Sequence, residues 1–204
     1  MTPTSAQDDL AFMRALVERP GNFQRSFGEA YFAAGLCYGV QMLLHAAQSG
    51  GWIADGPTIG LTIGLAPTVV FLALLAWIIH RHRGEASGGS VVSRAVGAVF
   101  AATGLANLVL ICVIGSVAWR EQSITIWLIY PCTVIVLQGM AWLVLYALRR
   151  RIWFAVVGLG WFATAIGMGL TVTTPAAFIA ISGLGFLAFM LVPGLVMMRQ
   201  AKAA

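Results

Sequence analysis

Six long apolar runs restrict what this chain can fold into. They cover residues 27–47, 58–79, 95–119, 124–148, 152–172 and 176–198. Each run is close to or above the roughly 20 residues that an α-helix needs to cross the hydrocarbon core of a bilayer. Because backbone groups find no water in lipid, each run can satisfy its hydrogen bonds internally only as a helix. The sequence therefore predicts an all-α integral membrane protein built as a bundle of six transmembrane helices.

The composition agrees with lipid as the main solvent. Of the 204 residues, 60% are hydrophobic and 9% are charged, whereas soluble domains have about 25% charged residues and about 45–50% apolar ones. The mean hydropathy is +0.89. We predict a cytoplasmic N-terminal segment at 1–26, a transmembrane domain at 27–198 and a cytoplasmic tail at 199–204.

Basic residues are distributed unevenly between the two sides of the predicted bundle. If the N-terminus is cytoplasmic, eleven of the twelve lysines and arginines lie on the cytoplasmic side, and Arg120 alone lies outside. The positive-inside rule favours this orientation, with both termini in the cytoplasm. We attribute the net charge of +5 to topology and to anionic lipid headgroups. Because no recognition motif accompanies the charge, we expect no nucleic acid partner.

The N-terminal segment has the pattern of a short amphipathic helix. Leu10, Met13 and Val17 recur at helical spacing, and Pro20 ends the pattern. We predict a helix over residues 5–19. It either lies on the membrane surface or against the bundle, or it docks a cytoplasmic protein partner.

Similar stretches recur along the chain. Residues 68–77 resemble residues 133–142, and both lie in spans that precede a basic loop. The odd-numbered spans share apolar stretches that begin at Phe32, Phe100 and Phe154. One interpretation is three helical hairpins derived from a single ancestor. The other is chance similarity between apolar helices.

Glycine is frequent, with 23 in the chain, many of them inside the spans. Small residues at regular spacing let helices approach closely in lipid. We expect such contacts inside the bundle rather than at a homodimer seam, and the oligomeric state stays open. The predicted packing glycines are Gly35, Gly39, Gly97, Gly104, Gly160 and Gly167.

Polar side chains form a stripe along the first span. Tyr31, Tyr38, Gln41 and His45 fall within about 80° of arc at about 100° per residue. Polar groups at membrane depth bond to one another or to water. The stripe therefore either joins helices or lines a pocket or path for a small solute. The residues of other spans that could face it are Asn107 and Gln138.

One acid, Glu29, enters a span, near the cytoplasmic end of the first run. There it meets the positive end of the helix dipole. It has a structural role, or it pairs with Arg25 or Arg94, or it forms a cation site at the inner mouth.

Motifs for catalysis and metal binding are missing from the sequence. The three histidines are His45, His80 and His82, and the first lies near the opposite surface from the other two. There is no HExxH motif, no cluster of cysteine and histidine, no GxSxG and no Walker lysine. We therefore expect no metal, no cofactor and no catalytic residue.

The first 45 residues carry a resemblance to known proteins. Residues 9–14 read Asp-Leu-Ala-Phe-Met-Arg, and a Gly-rich stretch covers residues 28–41. The chain resembles small six-span proteobacterial membrane proteins of unassigned function, which pair a "DLxFMR" helix with a Gly-rich first span. The resemblance implies a bacterial inner membrane and, for some members, a gene beside a winged-helix regulator. It transfers no catalytic or binding residue.

Three classes of function follow from these patterns. The first is a non-enzymatic sensor, regulator or accessory subunit, because reactive groups are scarce and a separate helix is predicted at 5–19. The second is a small transporter or channel for a neutral or weakly polar solute, based on the polar stripe. The third and least favoured is an enzyme that acts on a lipid or a quinone, since the candidate acid–base groups lie at different depths.

Overall fold

The computed structural model describes residues 21–54, 56–83 and 91–203. The amphipathic helix predicted at 5–19 lies outside these residues. Six of the described helices are long and apolar enough to cross a membrane, and the described residues contain no strand. The prediction of an all-α, six-helix membrane protein is confirmed. Its outward-facing side chains are largely apolar, as contact with lipid requires.

The helix bounds follow the apolar runs closely. The first helix begins at Gly21, ahead of the run at 27–47, and the last continues past residue 198 to Ala203. The first five helices are α1 (Gly21–Ser49), α2 (Pro57–Arg81), α3 (Val91–Arg120), α4 (Ile124–Arg149) and α5 (Ile152–Leu170). The sixth span, α6, consists of Pro175–Phe186, a π-helical turn at Leu187–Leu191, and Val192–Ala203.

Local sequence explains where the helices begin and end. Pro57 and Pro175 occupy first-turn positions, where a missing N–H costs nothing. Ser123 caps α4 by accepting a hydrogen bond from the Ile126 N–H at 3.4 Å. Arg150 adopts the left-handed conformation, with a φ of 54°, and turns the chain directly from α4 into α5.

The π-helical turn of α6 precedes a proline inside the helix. Pro193 has no N–H to donate, and its ring crowds the carbonyl four residues earlier, which belongs to Phe189. The turn at Leu187–Leu191 widens the helix around that carbonyl. It also carries the face of α6 that packs against α1.

The helices pack side by side in the order α2, α1, α6, α5, α4, α3. Each sequence-adjacent pair that the hairpin interpretation joins is in contact, but the most extensive packing is between α1 and α6 and between α4 and α5. The shared ancestry of the hairpins stays a prediction. The two outer helices are poorly covered: 11% of the most apolar stretch of α2 and 0% of that of α3 is buried, against 39% in α5.

Glycines on α1 and α6 allow these two helices to approach closely. A Cβ atom added to Gly35 would lie 2.7 Å from the Leu191 Cα, and one added to Gly194 would lie 2.7 Å from the Phe32 Cα. A Cβ on Gly39 would lie 2.8 Å from a Leu187 methyl group. Backbones this close maximise dispersion contacts, the main attraction between helices in lipid.

The other predicted packing glycines divide into two groups. A Cβ on Gly160 of α5 would overlap the Phe189 ring, and one on Gly167 would lie 3.2 Å from Ile181. Gly104 of α3 faces open space, with nothing within 4 Å of an added Cβ. The expected packing role of Gly104 therefore needs correction, because α3 is an outer helix with few neighbours. Gly97 is half-buried on the same helix.

Candidate functional site

The N-terminal end of the polar stripe on α1 belongs to a buried group around Tyr31. The Tyr31 hydroxyl accepts hydrogen bonds from the indole N–H of Trp142 at 2.6 Å and of Trp161 at 3.2 Å. It donates to the Gln138 Oε1 atom at 3.4 Å. Tyr31 is 6% exposed, and both tryptophans are 0% exposed. We call Tyr31, Gln138, Trp142 and Trp161 the tyrosine node.

The tyrosine node uses the full bonding capacity of one hydroxyl. A tyrosine O–H offers one donor and accepts through two lone pairs, and each of the three is engaged. The three bonds tie α1 to α4 and α5 at a point where the described chain is closely packed. Phe27 and Phe100 pack around Trp142, with ring centroids 6.5 and 6.1 Å from it. The node is therefore a joint between helices.

The middle of the stripe faces α2 rather than the tyrosine node. The Tyr38 ring lies 5.5 Å from that of Phe71 on α2. Gln41 donates from Nε2 to the Gly64 carbonyl at 3.2 Å. These contacts hold a helix whose surface is otherwise mostly exposed. His45, one turn further along α1, is half-buried.

Asn107 does not join the stripe. Its Oδ1 atom accepts a hydrogen bond from the Tyr130 hydroxyl, which links α3 to α4. Of the two residues expected opposite the stripe, Gln138 thus bonds to Tyr31, and Asn107 bonds to a tyrosine on its own neighbouring helix. The predicted polar residues are therefore not one group: Tyr31 and Gln138 join α1 to α4, Tyr38 and Gln41 face α2, and Asn107 joins α3 to α4.

Glu29 lies at one end of the bundle, where α1 and α2 come together. Its Oε1 atom accepts from the Arg25 Nε at 3.1 Å, and its Oε2 atom lies 3.1 Å from the His82 Nε2. Sequence reasoning named Arg25 as a partner but missed His82, which lies 53 positions away. The alternative partner, Arg94, is exposed on α3. The contacts make Glu29 a second tie between α1 and α2.

Sequence reasoning also missed the two tryptophans of the tyrosine node. A buried indole N–H needs an acceptor, and Trp142 and Trp161 lie well inside their spans rather than near an interface. This location within the spans could have identified the two tryptophans as members of a buried hydrogen-bonded group. By contrast, Trp52 and Trp119, at the turns between spans, are 88% and 77% exposed.

Metal-ligating side chains do not cluster within the described ranges. No three residues among histidine, cysteine, aspartate and glutamate gather there closely enough to hold a metal ion. One cavity lies at the turn between α3 and α4, and another at the opposite end of the bundle, where it is lined by residues that include Gln24, Phe27 and Arg149. No family model, curated protein or solved structure matches the chain.

Proposed function

We propose that this chain is a non-enzymatic regulatory, sensory or accessory protein of a bacterial inner membrane. Its two termini lie in the cytoplasm, and residues 5–19 bind a cytoplasmic protein. The bundle acts as a rigid membrane anchor for that segment. The distribution of charge supports the orientation, since eleven of the twelve basic residues then lie inside. The resemblance of the first 45 residues to membrane proteins encoded beside winged-helix regulators supports a regulatory role.

One observation carries the non-transport part of this proposal. Three polar side chains of the predicted set bond to other helices: Tyr31 to three partners, Gln41 to a backbone carbonyl and Asn107 to Tyr130. A path for a polar solute needs polar lining groups that replace the hydration of the solute with contacts to the protein. Groups already engaged with neighbouring helices are poor candidates for that role. The competing transporter hypothesis is therefore disfavoured.

A flux assay tests the transport part. Purified full-length protein is reconstituted into vesicles, and the influx of glycerol and urea is followed by light scattering. We expect the same rates as in protein-free vesicles. A several-fold acceleration that Gln41→Leu abolishes would contradict the proposal. Gln41 is chosen because it belongs to the stripe and makes a single hydrogen bond there, to the Gly64 carbonyl.

Deletion of residues 1–20 tests the docking part. Proteins crosslinked to the full chain in living cells are compared with those crosslinked to the deletion and to a variant with Leu10→Asp and Val17→Asp. The deletion and the double substitution each remove the apolar face of the predicted helix. A matched variant, Arg14→Gln, keeps that face. We expect one specific cytoplasmic partner to be lost from the first two and kept with the third; an unchanged set of partners would refute docking.

A further inference from the structure

The end of the bundle that bears Arg149, Arg150 and Arg151 contains a shallow groove between helices; we call this end the basic end. The groove is lined from five helices, and α2 alone makes no contribution. Its polar lining residues are Gln24 of α1 and Arg149 of α4. The remaining walls are apolar and include Phe27, Leu145 and Phe154. The enclosed space is about 20 Å³, room for roughly one water molecule, so a larger ligand would lie across its mouth.

Arg149 brings a charge into this groove, and no carboxylate of the described residues is paired with it. Its side chain is half-buried, and its Nη2 atom donates to the Ser93 Oγ at 3.4 Å. The described chain contains two carboxylates, and Glu29 is already paired with Arg25 and His82. The other, Glu121, follows α3 at the opposite end. A guanidinium has five N–H donors in a planar fork, and among the described residues Arg149 uses one of them, toward Ser93.

The turn between α4 and α5 concentrates further positive charge beside Arg149. The left-handed Arg150 makes the connection so short that three arginines follow one another. Arg151 repels the Arg149 charge and donates to the Gln200 Oε1 at 3.3 Å. Gln24 also donates to that oxygen, at 3.0 Å. Three neighbouring positive charges, one of them half-buried, favour the binding of an anion at this turn.

We propose that this groove binds an anionic phospholipid, with the phosphate at Arg149 and an acyl chain along exposed apolar side chains that flank the three arginines, Leu148 and Ile152. Arginine matches phosphate because its fork can donate two parallel hydrogen bonds. Basic pockets between transmembrane helices at the level of the headgroups are typical sites for such lipids. The exposed Leu148 and Ile152 favour a lipid over a free phosphate, which would gain nothing from them. The site does not depend on the function proposed above or on the leaflet that the basic end faces.

Native mass spectrometry of the full-length protein tests the proposal. Purified protein is titrated with phosphatidylglycerol, with phosphatidylcholine of the same acyl chains, and with inorganic phosphate. We expect preference for the anionic lipid over the zwitterionic one. Arg149→Gln should reduce that preference about tenfold or more, because it removes a charge-assisted hydrogen bond to the phosphate. The matched control is Arg81→Gln, which removes an exposed arginine from α2, outside the groove.

Three outcomes would overturn the proposal: an equal preference in Arg149→Gln and the wild type, an equal loss in Arg81→Gln, or inorganic phosphate binding as tightly as the lipid. A second measurement needs no variant. Lipids that remain on the wild-type protein after prolonged detergent exchange are extracted and identified, and we expect enrichment of phosphatidylglycerol or cardiolipin over the membrane average. Residual lipid with the average composition would also overturn the site, even if Arg149→Gln fails to fold.

Discussion

The two outer helices differ from the four inner ones in what holds them to the bundle. The pair α1 and α6 is joined by glycines at which the backbones nearly touch, as at Gly35 and Gly194. By contrast, little of α2 and α3 is buried, and single polar contacts, such as Gln41 with Gly64 and Tyr130 with Asn107, contribute to their attachment. Continuous close packing resists separation along the whole helix, whereas a hydrogen bond in lipid contributes little on average. The inner helices should therefore form the stable part of the molecule.

Filling the glycine contact should have the largest effect. Gly35→Leu forces a side chain into the space occupied by the Leu191 backbone, and overpacking against backbone costs about 3 kcal/mol. The measurement is the free energy of unfolding in mixed micelles titrated with a denaturing detergent. The matched control, Gly104→Leu, points into open space and should change stability by less than about 0.5 kcal/mol. Equal losses in the two variants would remove the distinction between inner and outer helices.

Tyr31→Phe should have the next largest effect. Two fully buried indole N–H groups lose their acceptor, and an unsatisfied buried donor costs about 1–3 kcal/mol. We expect a loss of about 2 kcal/mol in the same unfolding assay. The coupling can be isolated by combining Tyr31→Phe with Trp161→Phe in a double-mutant cycle. Additive losses would show that the Tyr31–Trp161 bond contributes nothing.

The outer counterpart of that change is Tyr130→Phe. It removes the hydroxyl that donates to Asn107 between α3 and α4, and both side chains are only half-buried. Hydrogen bonds between transmembrane helices average about 0.6 kcal/mol, so we expect a loss of that size. A cost as large as that of Tyr31→Phe would mean that α3 is held as firmly as the inner helices.

Glu29→Gln should have the smallest effect on overall stability, about 0.5 kcal/mol, since ion pairs near a surface contribute little. Its consequence should be local, because Glu29 ties the end of α2 to α1 through His82. Hydrogen exchange of the last turn of α2 should accelerate severalfold, while that of α5 stays unchanged. Glu121→Gln, which alters the described carboxylate at the opposite end, serves as the control. No change in exchange at α2 would show that the tie is unimportant.

The sequence predicted the six helices because an apolar run of membrane length has few other ways to satisfy its backbone. It did not predict which helices are neighbours. A helix that is apolar all round does not reveal in its sequence the face that packs, so the join of α1 with α6 and the outer position of α3 could not be foreseen. Gly35 and Gly39 were recognised by spacing, but Gly104 has a similar pattern and faces open space.

Some contacts of the candidate site could not be predicted from the sequence either. The helical periodicity of α1 placed Tyr31, Tyr38 and Gln41 on one face. Only the packing of the helices decides that Tyr31 contacts α4 and α5 while Gln41 contacts α2. The partner His82 lies on another helix, at a sequence separation that no local pattern connects with Glu29.

The central claim is that polar side chains within the membrane join helices rather than line a path. Cysteine accessibility tests it most directly. With Cys37, Cys112 and Cys132 replaced by alanine, single cysteines are introduced at Tyr31 and Gln138 in the tyrosine node. A further pair, Tyr38→Cys and Gln41→Cys, covers the contact with α2.

Each variant is treated in native membranes with a small, charged, thiol-reactive methanethiosulfonate. The exposed Trp52, substituted by cysteine, provides the positive control. The account predicts rapid reaction at position 52 and no reaction above background at positions 31, 38, 41 and 138. Reaction at several of these four positions at a rate approaching that of position 52 would reveal a water-filled path and contradict the account.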